Sequence, residues 1–149
     1  MTLTQERPHA IGLRRRLAAR IAGWTAVGFG VVHTVVAPWN YREYWADILD
    51  KSPWDTLTLD HGPGEMGYSE AFWIGPASFG VPVLFGGAFV LWATRRGERI
   101  PAAFGWALTL WGGLLAALMP ASPAWALLAA GVLLVVAARE PTDVHSQSR

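Results

Sequence analysis

The segment GFGVVHTVVAPWNYREYW, residues 28–45, changes from an uncharged apolar run to a mixture of aromatic and charged residues. Its apolar half contains one ionisable side chain, His33, and Pro38 marks the change. Tryptophan and tyrosine at the end of an apolar run are typical of a helix that leaves a bilayer, because these rings favour the membrane–water interface. The segment therefore predicts a membrane helix and raises the question of what a histidine does inside it.

Three further uncharged runs follow the first along the chain. Of the 149 residues, 52% are apolar and 15% are charged, which is below the roughly 25% charge usual in soluble domains. A membrane span needs about 20 apolar residues to cross roughly 30 Å of hydrocarbon. The predicted spans are residues 21–37, 71–94, 100–119 and 123–138, with an outer loop at 38–70.

The distribution of basic residues supports four spans. Ten of the twelve basic residues fall before the first span, between the second and third, or after the fourth. With four spans these segments lie on one side, which the positive-inside rule places in the cytoplasm. We therefore expect a basic cytoplasmic arm at residues 1–20, a cytoplasmic tail at 139–149 and a multi-pass location in the inner (plasma) membrane. A cleaved signal peptide is disfavoured because no small-residue cleavage site follows the first run.

The fold class predicted is all-α, an antiparallel four-helix transmembrane bundle with an outer amphipathic interfacial segment. In the outer loop, Asn40 and Glu43 have the spacing of a capping box. An apolar helical face follows, which predicts a short helix on the outer membrane surface. The residues of that face are Tyr41, Tyr44, Trp45, Ile48 and Leu49.

Several classes of function lack their characteristic residues. The chain has no cysteine, which excludes disulfides and thiol-based electron transfer. No acidic residue falls within a predicted span, which disfavours ion-coupled pumps. Haem held between helices normally needs a histidine in two spans, and only the first span has one. His61 lies beside the acids Asp60 and Glu65 in the outer loop, but one histidine with flexible spacing does not make a metal site. We expect no metal, no cofactor and no nucleic-acid partner.

His33 borders a stripe of small residues that allows close approach of helices. The centre of the first span is near Phe29, so His33 lies about 6 Å beyond it, in the outer half of the bilayer. Pro76, in the second span, falls at the same depth and removes a hydrogen bond to the carbonyl of Phe72. The stripe consists of Ala22, Ala26, Gly30 and Thr34.

Two hypotheses for His33 remain open. In the structural one, its N–H satisfies a carbonyl freed by a proline of the second span. In the functional one, His33 lines an outward-opening pocket as an acid/base or ligand-binding group. The candidate catalytic residues are His33 and, at the outer mouth, Glu70, with Glu65 and Asp60 as other proton partners. The candidate ligand-binding residues are Thr34, Ser78, Trp111 and Trp73.

The chain resembles a family of small four-helix bacterial membrane proteins that is catalogued as a domain of unknown function and is frequent in high-GC actinobacteria. The resemblance lies in GFGVVHTVV, AFWIGPASFGVPVLFGGAFVLW and GWALTLWGGLLAALMPASPAWALL, and covers residues 17–138. It implies the four-helix architecture but supplies no activity and no catalytic residues. Eleven arginines against one lysine suit such a genome.

Three classes of function remain. The first is a membrane protein that binds a lipid or small apolar molecule, or serves as an accessory subunit. The second is a small membrane enzyme, an isomerase, cyclase or oxidoreductase, acting on an apolar substrate with His33 as acid/base. The third is a small-solute transporter. The expected partners are membrane lipids, a small apolar ligand and further copies of the chain in a homo-oligomer.

Overall fold

The computed structural model describes residues 7–53, 62 and 66–139. Within these residues it contains α-helices and no strand, so the predicted all-α class is confirmed. The chain divides into two compact units, which are described separately: Met1–Trp24 with Phe89–Arg149, and Thr25–Ala88. The helices are α1 (Arg7–Asn40), α2 (Arg42–Lys51), α3 (Met66–Ile74), α4 (Gly80–Arg96), α5 (Ala102–Leu118) and α6 (Trp125–Ala138).

Three of the four predicted spans coincide with helices. The first lies within α1, and the third and fourth match α5 and α6 to within two residues. The helix α1 also includes much of the predicted basic arm, since it begins at Arg7. The first six residues of the arm and the tail from residue 140 lie outside the described part of the chain.

The predicted second span, residues 71–94, is not one continuous helix, and this expectation is corrected. It consists of α3 and α4, separated by residues 75–79. The reason is local: Pro76 lacks an amide donor, and the amide of Ala77 donates to the carbonyl of Phe72 at 3.1 Å instead. The Ser78 Oγ then accepts the amide of Gly80 at 3.3 Å, which satisfies a donor at the start of α4. Pro82 falls in the first turn of α4, where no amide is needed.

Helix length limits what can cross a bilayer. Among the described residues, one helix is long and apolar enough by length and composition alone, over Gly12–Asn40, with mean hydropathy 1.4. The helices α5 and α6 are apolar but have 17 and 14 residues, or about 26 and 21 Å at 1.5 Å per residue. The helices thus include one candidate membrane span, and the four-helix transmembrane bundle stays a prediction.

The first unit is held together by small residues at helix contacts. Its core contains Ala19 and Ala22 of α1, Val90 of α4, and Ala130 and Leu134 of α6. The helices α5 and α6 form an antiparallel pair in which glycines face backbone. A Cβ added at Gly105 would lie 2.7 Å from the Val135 amide nitrogen, one at Gly112 would lie 2.6 Å from the Leu128 amide nitrogen, and one at Gly131 would collide with Thr109.

In the second unit, the stripe of small residues predicted on α1 packs against α4. Ala26 and Gly30 are buried, and a Cβ at Gly30 would lie 2.6 Å from Leu84 Cβ and 2.7 Å from the Gly80 carbonyl oxygen. The close approach of these two helices therefore depends on the absence of a side chain at Gly30.

The predicted amphipathic helix of the outer loop is confirmed as α2, with two corrections. Its N-cap is Tyr41, without a side-chain cap, because α1 continues through Asn40; the capping box of Asn40 with Glu43 does not form. On the predicted apolar face Ile48 is fully buried, but Leu49 is 72% exposed. The helix α2 packs on α3, where the Tyr44 ring covers Gly67 and meets the Tyr68 ring edge-on at 5.4 Å.

Many large apolar side chains of the described helices point outward. Six tryptophans have exposed fractions of 48–69%, as rings at a membrane–water interface would. The exposed side chains also include valines and leucines within the apolar runs, such as Val35 at 65% and Leu110 at 69%. The six tryptophans are Trp24, Trp39, Trp73, Trp92, Trp106 and Trp125.

Candidate functional site

His33 lies in a small aromatic cluster of the second unit. Its ring is parallel to Phe29, one turn earlier on α1, with centroids 5.9 Å apart and an interplanar angle of 5°. It also meets Phe79, which comes just before α4, at 4.3 Å and 31°. The two phenylalanines are 6.0 Å apart, so the imidazole is the third member of one ring cluster. The His33 side chain is only partly buried.

Gly80 lets α4 begin directly against His33 and Thr34. A Cβ on Gly80 would lie 2.8 Å from Thr34 Oγ1 and 3.2 Å from both Cβ and Cδ2 of His33. Because the glycine has no side chain, the backbone at the start of α4 touches both polar residues. The structure therefore brings together three of the predicted site residues: His33, Thr34 and Ser78, which caps α4 two residues before Gly80.

The hydrogen-bonding groups of His33 and Thr34 are unused. Thr34 Oγ1 is buried and has no partner. Two other threonines behave differently, since Thr94 donates to the carbonyl of Val90 at 2.7 Å and Thr109 to that of Gly105 at 2.8 Å. The ring of His33 makes aromatic contacts but no hydrogen bond within the described residues. The carbonyl of Phe72, one acceptor that the structural hypothesis assigned to His33, is occupied by the amide of Ala77.

Glu70 is engaged elsewhere in the second unit. It accepts a hydrogen bond from the Tyr41 hydroxyl at 3.3 Å. Desolvation, and then the negative charge of Glu70, raise the pKa of Tyr41 above its ordinary value of 10.0. Tyr41 follows the end of α1, eight residues after His33, or about 12 Å along the helix axis. The catalytic pairing of His33 with Glu70 stays a prediction.

The other predicted site residues are spread over the chain. Trp73 lies on α3 and is 55% exposed, whereas Trp111 lies on α5, in the first unit, and is partly buried. Their role in ligand binding stays a prediction. The loop residues Asp60, His61 and Glu65 lie outside the described part of the chain. Within the described part, no group of three histidine, aspartate or glutamate side chains is placed to hold a metal ion.

A polar contact joins α2 to α3 in the second unit. Asp47 accepts from Lys51 at 2.8 Å and from the Tyr68 hydroxyl. Both bonds, that from Lys51 first, lower the pKa of Asp47 below 3.8. The same carboxylate raises the pKa of Lys51 above 10.5 and that of Tyr68 above 10.0. This contact holds the first turn of α3 against α2 through Tyr68, which lies five residues before Trp73.

Sequence reasoning missed three neighbours of His33 and a second unsatisfied donor. Phe29 stands four residues before His33, a spacing that places both rings on one helix face. Phe79 and Gly80 belong to another helix region, and no spacing rule pairs them with α1. Trp45 Nε1 is also buried without a partner, and its ring lies beside Gly75.

Comparison with known proteins adds a family and no activity. No significant match was found among curated proteins or among solved structures. One family model matches residues 17–141, which include every helix of the described chain except the first ten residues of α1. That family is described as a family of unknown function (DUF6463), and this chain belongs to it.

Proposed function

We propose that the chain is a multi-pass integral membrane protein that binds a lipid or a small apolar molecule at His33. The observation that carries the binding proposal is the unused hydrogen-bonding capacity of His33 and Thr34 within an apolar, aromatic surface. A donor without a partner in hydrocarbon is costly, because no water is present to satisfy it. A ligand oxygen at His33 removes that cost.

The membrane location rests on the outward-facing apolar side chains. A soluble monomer rarely exposes large contiguous apolar patches, whereas lipid-facing helices must expose them. The helix α1 is the clearest case, since its exposed residues extend along most of its length. They are Leu13, Leu17, Ile21, Trp24, Val31, Val32, Val35, Val36 and Trp39. The proposed topology keeps four spans, with α3 and α4 together forming the second, and both termini in the cytoplasm.

The chemistry of the site indicates the kind of ligand. The ring of His33 supplies one N–H donor, and Phe29 and Phe79 supply flat apolar faces. An apolar molecule that carries a carbonyl, ester or hydroxyl oxygen fits this combination, because its body packs on the rings and its oxygen accepts the hydrogen bond. Lipids of the surrounding bilayer belong to this class. The catalytic alternative needs a proton partner for His33, and Glu70 is bonded to Tyr41.

The test is native mass spectrometry of the full chain in mild detergent, comparing the wild type with His33→Phe and His33→Gln. Phenylalanine retains the stacking with Phe29 and Phe79 but has no N–H, so we expect this variant to fold. We expect the wild type to carry a bound species, His33→Phe to lose it about tenfold, as for one lost hydrogen bond, and His33→Gln to retain part of it. The mass of the species gives its chemical class.

Two results would overturn this proposal. A wild type that carries no bound species after extraction from the membrane excludes a ligand at His33. A bound species that His33→Phe retains at the wild-type level shows that the ligand lies elsewhere. Thermal melting of each variant checks the fold, and wild-type melting temperatures are expected.

A further inference from the structure

The first unit contains a cavity of about 450 Å³ that is distant in sequence from the His33 cluster. It is lined by α1 near its start, by the connection from α4 to α5, and by the end of α6. Its volume is within the range of small-ligand sites, about 300–1,000 Å³. The polar and charged lining residues are Arg15, Arg16, Thr94, Glu98 and Arg99.

The shape of the cavity depends on the turn after α4. Gly97 has φ +75°, a conformation that favours glycine. The amide of Glu98 donates to the carbonyl of Ala93 at 2.9 Å, and that of Gly97 to Thr94 at 3.2 Å. This pair of bonds is a Schellman motif, which ends the helix and reverses the chain. The reversal sets Glu98 and Arg99 at the cavity, and the guanidinium of Arg16 lies over Gly97.

The charge of the cavity is positive. Three guanidinium groups line it against one carboxylate, that of Glu98. The ends of α4 and α6 and the start of α5 also line it, but their helix-end charges are only about half a unit each, two negative and one positive, and do not offset the arginines. Within the described residues, neither Arg15 nor Arg16 forms an ion pair. Arginine matches the planar oxygen pairs of phosphate with two parallel hydrogen bonds.

We propose that this cavity binds a phosphate group, with Arg15 and Arg16 as its principal ligands. The phosphate belongs either to the headgroup of an anionic lipid or to a soluble phosphate. The proposal is independent of the site at His33. It differs from a diffuse attraction between a basic arm and a membrane, because it names two arginines of α1 and leaves out their neighbours Arg14 and Arg20, which do not line the cavity.

The experiment is isothermal titration calorimetry on the full chain in a neutral detergent. Two probes are titrated: water-soluble dihexanoyl-phosphatidylglycerol and inorganic phosphate. The variant pair Arg15→Gln/Arg16→Gln removes two cavity charges, and the matched pair Arg14→Gln/Arg20→Gln removes two charges from the same helix outside the cavity. We expect the first pair to weaken binding at least about tenfold and the second to change it less than about threefold.

The probes distinguish the two sources of phosphate. If the lipid binds and excess inorganic phosphate does not displace it, the site is one for a lipid headgroup. Inorganic phosphate that binds by itself and displaces the lipid indicates a site for a soluble phosphate. The proposal is overturned if neither probe binds the wild type, or if both variant pairs weaken binding equally, which is the behaviour of diffuse charge.

Glu98→Gln tests the proposal by an expected gain of phosphate binding, where the arginine variants test it by a loss. It removes the one carboxylate of the cavity and leaves the backbone bonds of the Schellman motif in place. We expect about threefold tighter phosphate binding, the size of one screened charge interaction. Unchanged or weaker binding by a folded Glu98→Gln would also contradict the proposal.

Discussion

At the residue scale, the second unit is defined by which polar atoms have partners and which do not. Ser78 uses its hydroxyl to begin α4, and Glu70 and Asp47 use their carboxylates to accept tyrosine hydroxyls. Thr34 and Trp45 are exceptions, since each has a buried polar atom without a partner. The hydroxyl of Thr34 lies where α1 meets Gly80. A buried polar group without a partner is destabilising, so its persistence at this position fits a site better than a packing surface.

Replacing Thr34 by valine tests this directly. Valine has nearly the same shape and removes the unsatisfied hydroxyl, so we expect the free energy of unfolding to rise by up to about 1 kcal/mol. Thr109→Val is the matched control, because Thr109 bonds the carbonyl of Gly105 and gains nothing by losing its hydroxyl. Denaturant unfolding in detergent micelles measures both. A Thr34→Val protein less stable than Thr109→Val would show that the hydroxyl has a stabilising partner.

A second prediction at the residue scale concerns the hydrogen bond between Asp47 and Tyr68. This bond raises the pKa of the Tyr68 phenol, so Asp47→Asn is expected to lower it toward 10.0. The chain has three tyrosines, which makes an absorbance titration at 295 nm practical. Asp50→Asn, a neighbouring acid of the same helix, is the control and is expected to change nothing. Equal effects of the two variants would indicate a general charge effect without a specific hydrogen bond.

The contact of Asp47 with Tyr68 stabilises the protein over a defined pH range. The pKa of Asp47 is lowered on folding, so its contribution is present above 3.8 and is lost as pH falls through the folded-state value. The pKa of Tyr68 is raised on folding, so its contribution is present below 10.0 and is lost as pH rises through the folded-state value. Between these limits we expect α2 to remain docked on α3, and hydrogen exchange of both helices at several pH values measures this.

At the element scale, the pairing of α5 with α6 depends on glycines that face backbone atoms. In Gly112→Ala the new Cβ would lie 2.6 Å from the Leu128 amide nitrogen and 2.9 Å from the Leu127 carbonyl carbon. Backbone cannot yield as a side chain can, so we expect a loss of about 1–3 kcal/mol. In Gly113→Ala the Cβ would lie 3.7 Å from Leu128 Cδ1, which is ordinary contact.

The neighbouring glycine makes Gly113→Ala a matched control. Both substitutions bring the same gain in helix propensity, up to about 1 kcal/mol, and only Gly112→Ala adds the collision. Gly113→Ala is therefore expected to be neutral or stabilising. Melting temperatures of the two variants, measured in the same detergent, give the comparison. An unaffected Gly112→Ala would mean that α5 and α6 do not pack as closely as described.

The sequence predicted helices well where composition alone decides them. Long uncharged runs located α1, α5 and α6, because an apolar run of this length is rarely anything but a helix. It identified Pro76 as the residue that frees the carbonyl of Phe72 in the second span, but whether that carbonyl is satisfied from a distance or by its own chain depends on local geometry. Here Ala77 and Ser78 satisfy the backbone, and the helix breaks.

The candidate site was predictable only in part, for a related reason. His33 and Thr34 were identified because a polar residue in an apolar run is conspicuous, and Ser78 was named beside them as a polar residue of the second run. Phe79 and Gly80 are ordinary residues of an apolar run, and only the packing of α4 against α1 gives them a role. The basic cavity was missed because it joins three segments, at residues 12–19, 94–102 and 137–138, that no periodicity connects.

At the scale of the whole molecule, the decisive quantity is the number of membrane crossings. By length alone, α1 qualifies as a span and the other described helices do not. Charge distribution and the exposed apolar side chains favour four crossings. Near the predicted inner surface, Arg96 lies over the ring of Trp92 at 4.9 Å, a pairing suited to an interface where the ring meets lipid and the guanidinium meets water.

Single-cysteine accessibility tests this claim most directly, since the chain has no native cysteine. Asp50→Cys, Arg95→Cys and Ala121→Cys each place one thiol at an exposed position. With four crossings, a membrane-impermeant maleimide labels positions 50 and 121 in intact cells, and position 95 only after the membrane is permeabilised. With α1 as the sole crossing, all three positions lie on one side and are labelled alike, which would contradict the account.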